Sequence, residues 1–314
     1  MILLIAGTIY QPIGERRDRN RYPQIGRPVD IGGRTLNIHC LGEGEPTVVF
    51  DTFSHESGYS WTAVQRQVAA FSRACWYDRT GYGWSEPGPL WQTAEDVAVD
   101  LHALMNAARV APPYVLVGNG DVGLQIRVYN RLYPREVAGA VFVNANDVDD
   151  PATTPTSHRP LIARYLGSVF PYVRRGFCAV PAMSRTGLLR MAGHPRRTGG
   201  GYGLTPEQEV QAAYLSDNPT AYVATRTSLC VQERSRAQAR VSGSFGDRPL
   251  IVITFPDSED AEANAYWIGT VQARIAALST RGRLNVVAAD DGHIRDAIVE
   301  GLRDVVAQVR GRQS

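Results

Sequence analysis

From about residue 28 onward the chain alternates short, β-rich apolar runs with amphipathic stretches. The runs at 28–31, 35–40, 47–50, 74–77, 114–117, 139–143, 250–254 and 284–288 predict strands. Several, such as the Tyr-Val-Leu-Val of 114–117, are continuously apolar. Strands read that way when both faces of a parallel sheet are covered. Between them, 60–70, 93–108, 124–132, 261–277 and 295–309 carry helical spacing. Alternation of this kind predicts βαβ units and a doubly wound, mostly parallel α/β sheet.

One interval breaks the rhythm. Residues 150–246 hold helical segments at 161–170, 186–191, 206–215 and 221–236, divided by a Gly/Arg-rich loop at 196–203, and no convincing strand. An all-helical insertion between two sheet strands reads as a cap over the carboxyl edge, where open α/β sheets bind ligands. The organisation expected is therefore an apolar and basic segment at 1–27, a core made of 28–149 and 247–314, and a helical cap at 150–246.

Composition narrows the chemistry. With 44% hydrophobic and 20% charged residues among 314, the chain can bury a large core. The charge sum, 33 − 31 = +2, gives no reason to expect a nucleic-acid partner. All 33 cationic side chains are Arg, which excludes Schiff-base, P-loop and Ser-Lys chemistry. The scattered Cys40, Cys75, Cys178 and Cys230 form no paired spacing, so reduced, buried thiols are expected rather than disulfides or zinc. The six histidines are isolated too, and neither a metal nor a cofactor is implied. The opening Met1–Tyr10 run is too short to span a bilayer by itself. With Arg16, Arg17, Arg19 and Arg21 behind it, it reads as the end of a longer membrane anchor or as a segment that docks on a membrane surface or in a protein assembly; packing on the chain's own core is the other reading.

Leu36–Phe50, the Tyr77-Asp-Arg-Thr-Gly-Tyr-Gly-Trp-Ser85 stretch, the Tyr114–Gly118 strand end and Asp291-Gly-His293 together resemble the α/β-hydrolases with a helical cap, over roughly residues 28–310. The resemblance implies an eight-stranded sheet, a lid and a Ser-His-acid triad acting on esters, amides or similar small molecules beneath the cap.

The triad does not transfer. The family's nucleophile elbow reads G-x-S-x-G; here it reads Gly118-Asn119-Gly120-Asp121-Val122-Gly123, which puts Gly120 at the nucleophile position. Val122 stands where a small residue is expected, which suggests a relaxed turn. A one-residue slip would make Asp121 the nucleophile, as in haloalkane dehalogenases and epoxide hydrolases, but it would flip the preceding strand unless a bulge absorbed it. Otherwise Asp121 serves the N-terminus of the next helix. The loop after the third strand, from Asp51 through Ser54 and His55 to Gly58, lacks the early glycine of an oxyanion loop. His293 matches the catalytic histidine, with Asp257, Glu259 or Asp260 as acid candidates, while Asn144 stands after the sixth strand where relatives often carry Asp.

These departures lead to a hydrolase-fold protein without the serine nucleophile, a non-catalytic binding or structural subunit. It is expected to be membrane-associated through 1–27, and otherwise cytoplasmic. The alternative is an active hydrolase of esters or related molecules, using His293 and Asp257 with Asp121 or an activated water. A lyase or receptor with His293 as base is a third reading.

Overall fold

The computed structural model describes residues 20–53, 56–149, 202–216, 219–256 and 259–313, together with Tyr10, Ile13, Gly14, Arg16 and Arg17. Eight strands form one sheet: β1 (Arg27–Asp30), β2 (Thr35–Leu41), β3 (Thr47–Asp51), β4 (Ala74–Tyr77), β5 (Tyr114–Asn119), β6 (Val137–Val143), β7 (Leu250–Thr254) and β8 (Gly282–Val286). Their spatial order is β1-β2-β4-β3-β5-β6-β7-β8. β2 runs antiparallel to both β1 and β4, and every other pair is parallel. The doubly wound sheet expected from the alternation is present. β8 pairs from Gly282 to Val286, two residues earlier than the apolar run suggests, because Leu250 aligns with Gly282 and Thr254 with Val286.

Strand periodicity divides the core into two layers. Val49, Cys75, Leu116 and Ala140 point to one face, where Leu101, Leu104, Tyr129 and Phe245 cover them. Val48, Phe50, Trp76, Val115 and Val117 point to the other, against Trp61, Val64, Ile298 and Leu302. Both faces are buried, which accounts for the unbroken apolar runs of β3 and β5.

The helices flanking the sheet are α1 (Thr62–Val68), α2 (Ala94–Ala107), α3 (Val122–Leu132) and α9 (Asp291–Gln313). Between β6 and β7 the described residues carry α4 (Pro206–Ser216), α5 (Pro219–Cys230) and α6 (Gln232–Arg240). The single helix expected over 221–236 is thus broken at Val231, which leaves helical geometry. The break turns α6 onto the start of α2, where the Ala94 amide donates to Ser235 Oγ (3.0 Å) and the Glu95 amide to Gln238 Oε1 (3.1 Å). Both are first-turn donors with no partner inside their own helix. After β7, α7 (Ala261–Tyr266) widens into a π-helical turn, Trp267–Gln272, and continues as α8 (Ala273–Ala276). Segments 161–170 and 186–191, and residues 196–201 of the Gly/Arg-rich loop, lie outside the described residues.

The cysteine expectation is wrong. Cys40 and Cys75 sit directly opposite each other on antiparallel β2 and β4, with Cα atoms 4.1 Å apart, and form a disulfide. Cys230 is disulfide-bonded as well. Spacing along the chain gave no sign of a bridge that depends on the register of two strands.

At the N-terminal side, Tyr22 stacks on Tyr214 of α4 with ring centroids 4.9 Å apart, and Arg27 donates to the Ala108 carbonyl at 2.8 Å. Tyr10 and Ile13 are exposed. No helix among the described residues is long and apolar enough to cross a membrane.

Candidate functional site

β5 delivers Asn119 to the carboxyl edge of the sheet, and the chain reverses into α3 at Gly120. Gly120 takes the bend itself, with φ at +55°, a conformation that side-chain-bearing residues seldom adopt. Asp121 is already helical, with φ −65° and ψ −16°. Gly118 pairs with Phe142 and Asn119 with Val143 without interruption; the only register shift of this pair lies at the far end, between Tyr114 and Val115. The sharp turn therefore survives Val122, whose methyl group packs over Gly118: a Cβ there would lie 2.1 Å from Val122 Cγ1.

What fills the space above Gly120 is Phe53. A Cβ on residue 120 would fall 2.2 Å from Phe53 Cδ2 and 2.5 Å from Cε2, inside the ring's own volume. Phe53 is held there by its backbone, whose amide donates to Asn119 Oδ1 at 2.9 Å. The amide before it, of Thr52, donates to Asp51 Oδ1 at 2.7 Å. An oxyanion hole needs amides from this loop aimed at the reacting oxygen; both of these point into the protein instead. Asn119 Nδ2 also reaches the Tyr202 hydroxyl at 3.4 Å. The Tyr202 ring packs on Trp61, 5.1 Å between centroids, and burial raises its phenol pKa.

Asp121 is buried and accepts from Gln232 Nε2 at 2.9 Å and Asn146 Nδ2 at 2.5 Å. Its carboxylate makes no cap hydrogen bond to α3; it ties α6 to the elbow instead. His293 lies in the first turn of α9 with 72% of its side chain exposed, and its Nδ1 faces Asp290 Oδ2 at 2.6 Å. That carboxylate is held below its usual pKa by the His293 amide and then by the imidazole. No hydrogen bond or ion pair among the described residues joins His293 to Asp121. Asp257, Ser54 and His55 lie outside the described residues. Glu259 is exposed, and Asp260 caps α7 by accepting from the Glu262 and Ala263 amides.

Asn144 does engage, but in packing. It adopts φ +43°, and its Oδ1 accepts from Trp267 Nε1 at 2.7 Å and from Thr254 Oγ1 at 2.8 Å. The π-helical turn that begins at Trp267 also brings Gln272 Nε2 to the Ala145 carbonyl at 2.8 Å. Asn144 is a latch between the ends of β6 and β7 and the π-helical turn.

No family model matches the chain. A haloalkane dehalogenase loop variant, DbeA-M1 from Bradyrhizobium elkanii, superposes with a TM-score of 0.67 over 92% of this chain and 98% of its own, at 17% identity. An esterase from Thermogutta terrifontis superposes at 0.62 over 90% and 98%, with 18% identity. The chain has the α/β-hydrolase fold.

Among curated sequences this hydrolase-fold chain is 30% identical over 124 residues to the probable transporter efuK of Hormonema carpetanum, covering 37% of the chain and 18% of the relative. It is 27% identical over 106 residues to an AB hydrolase superfamily protein of Gibberella zeae, covering 32% of the chain and 33% of the relative. An uncharacterized vacuolar membrane protein of Saccharomyces cerevisiae matches at 32% over 89 residues, 27% of the chain and 14% of the relative. The chain thus spans about a third or less of each of these relatives.

Gly120 lies at the bend after β5, Asn144 directly follows β6 and His293 follows β8. The residues missed by sequence reasoning are Phe53, Tyr202 and Gln232. Each acts through a contact between distant parts of the chain, and none belongs to a motif.

Proposed function

We propose that this α/β-hydrolase-fold chain is non-catalytic, a binding or structural module of a membrane-associated assembly. The observation that carries the reading is the Phe53 ring in the volume a nucleophile at position 120 would need. The amides of Thr52 and Phe53, spent on Asp51 and Asn119, support it. So does His293, which faces solvent and Asp290 rather than the elbow. Covalent hydrolysis by this fold needs a nucleophile, a base that reaches it and donors for the oxyanion; the first is replaced by a hydrogen atom and the others are engaged elsewhere.

Membrane association rests on the apolar run at 1–10 followed by arginines, and on likeness to two relatives, a probable transporter and an uncharacterized vacuolar membrane protein. The Cys40–Cys75 bridge favours a compartment outside the reducing cytosol. Two experiments test the reading. A serine-directed fluorophosphonate leaves the intact mass unchanged; an adduct on the elbow or its neighbours refutes the absence of catalysis. The full chain partitions with anionic vesicles, while a chain starting at Tyr22 stays in the supernatant; equal partitioning of both refutes the role of the N-terminal segment.

A further inference from the structure

The sheet ends in two edge strands, β1 and β8, and an open edge is a template for a further strand unless something guards it. β1 is four residues long and carries Pro28, which has no N–H to offer. β8 has no such guard. The Val287 amide donates to the Thr254 carbonyl of β7 at 2.9 Å, and backbone groups alternate in direction along a strand. Odd-numbered residues of β8 therefore face β7, while Leu284 and Val286 turn their N–H and C=O outward. Among the described residues, no strand lies beyond β8 and no hydrogen bond reaches these groups. The Val286 side chain beside them is 54% exposed. An extended segment of another molecule is the kind of partner such an edge accepts.

Charge selects which segment. Arg281 Nη2 donates to Gln308 Oε1 of α9, and Arg283 Nη1 donates to Asp304 Oδ2 at 2.7 Å. Two residues up β8 thus match four residues back along α9, because two strand steps rise about 6.6 Å and four helical steps about 6 Å. The next rung is Asn285 with Glu300, both exposed. No hydrogen bond or ion pair joins either of them to a described residue, so Glu300 is an acid on this ladder without its arginine. An antiparallel copy of β8 centred on Leu284 supplies one. Residue 283 of each chain then lies across from residue 285 of the other, level with the partner's Glu300. A parallel copy in register would set the two Arg283 side chains against each other instead. We propose that β8 is a homodimer interface, in which two chains pair this edge antiparallel about a two-fold axis at Leu284 and join their sheets into one. Leu284 exchanges both backbone bonds with the partner's Leu284, and the Val286 N–H donates to the partner's Gly282 carbonyl. The Gly282 N–H is already engaged, donating to the Ser279 carbonyl at 3.0 Å. Arg283 bridges its own Asp304 and the partner's Glu300.

This pairing does not depend on whether the elbow is catalytic. The test is sedimentation-velocity ultracentrifugation of the full chain at low salt, from micromolar to hundreds of micromolar. The wild type shifts from monomer to dimer across that range. Val286→Pro removes an outward N–H that β7 does not use, and leaves the chain monomeric. Glu300→Arg, at an exposed position of α9, keeps the fold and weakens the dimer roughly tenfold, because the two-fold axis places the change at two contacts; it also tests the interface should the proline prevent folding. A wild type that stays monomeric throughout overturns the proposal and leaves the edge to a strand of some other protein. A dimer that survives Val286→Pro, or one that Glu300→Arg does not weaken, overturns it as well. Ester turnover in the same sample would refute the non-catalytic reading and leave this one standing.

Discussion

Asn119 holds the Phe53 amide at 2.9 Å and so fixes the loop that seats the Phe53 ring over Gly120. The elbow keeps its sharp bend while the space that bend normally exposes is filled from the loop after β3. An engineered loss of a serine would leave a small void; here a ring occupies the place and a side-chain carbonyl anchors it.

Restoring a hydroxyl should therefore fail. Gly120→Ser places a side chain at φ +55° and 2.2 Å from the ring. It should cost about 2–4 kcal/mol, from overpacking and left-handed strain together. Adding Phe53→Ala removes the clash, so the double variant should be more stable than the sum of the single effects by about 1–2 kcal/mol. Denaturant melts of the four proteins check this; additive losses would mean that the two residues do not meet.

Asn144 should behave as a structural acceptor. Asn144→Ala leaves Trp267 Nε1 and Thr254 Oγ1 without their partner. The expected cost is about 2–4 kcal/mol, with a change in Trp267 fluorescence. Asn144→Asp retains an acceptor for both donors and should lose less than half as much. If the acid costs as much as the alanine, acceptance is not what the position provides.

The disulfide makes a prediction about oxidation state. Cys40 and Cys75 close a loop with a sequence separation of 35 residues. Removing the bridge by Cys75→Ser should cost about 2–4 kcal/mol. Alkylation of the unfolded, unreduced protein should leave both cysteines unmodified by mass spectrometry. Quantitative labelling of Cys40 and Cys75 would restore the expectation of free thiols.

Asp78 gives a pH dependence with a definite sign. It is fully buried and accepts from the Gly58 amide (2.7 Å), Asn37 Nδ2 (3.0 Å) and the Trp84 amide (3.1 Å). Burial outweighs these bonds and raises its pKa from 3.8 to about 6. The folded state then holds this proton more tightly than the unfolded chain. The group's contribution to stability is complete below its unfolded pKa and is lost as pH rises through about 6. Its full extent is of order 3 kcal/mol. Asp78→Asn does not titrate, so the wild-type advantage over it should be larger at pH 4 than at pH 7. An advantage that grows with pH would reverse the assignment.

Most of the fold was legible because burial writes itself into the sequence. β3, β5 and β7 are buried along their whole length and appear as apolar runs, whereas β8, at the edge with its outer residues exposed, was displaced by two. Gly120 is marked by the elbow motif around it, and Asn144 by its place directly after the apolar run of β6. The rest depends on pairs that no local pattern encodes. Trp267 and Asn144 lie 123 residues apart, Gln232 and Asp121 lie 111 apart, and the two cysteines meet only through the register of β2 and β4. The sequence offers Asp121 as a nucleophile or as a charge for its own helix; in the fold Gln232 of α6 donates to it.

The most direct measurement of the central claim is turnover of p-nitrophenyl butyrate by the wild type, Asp121→Asn and His293→Ala, each checked for folding. The account predicts the same non-saturating background rate for all three. Saturable turnover by the wild type that disappears in either variant would contradict it.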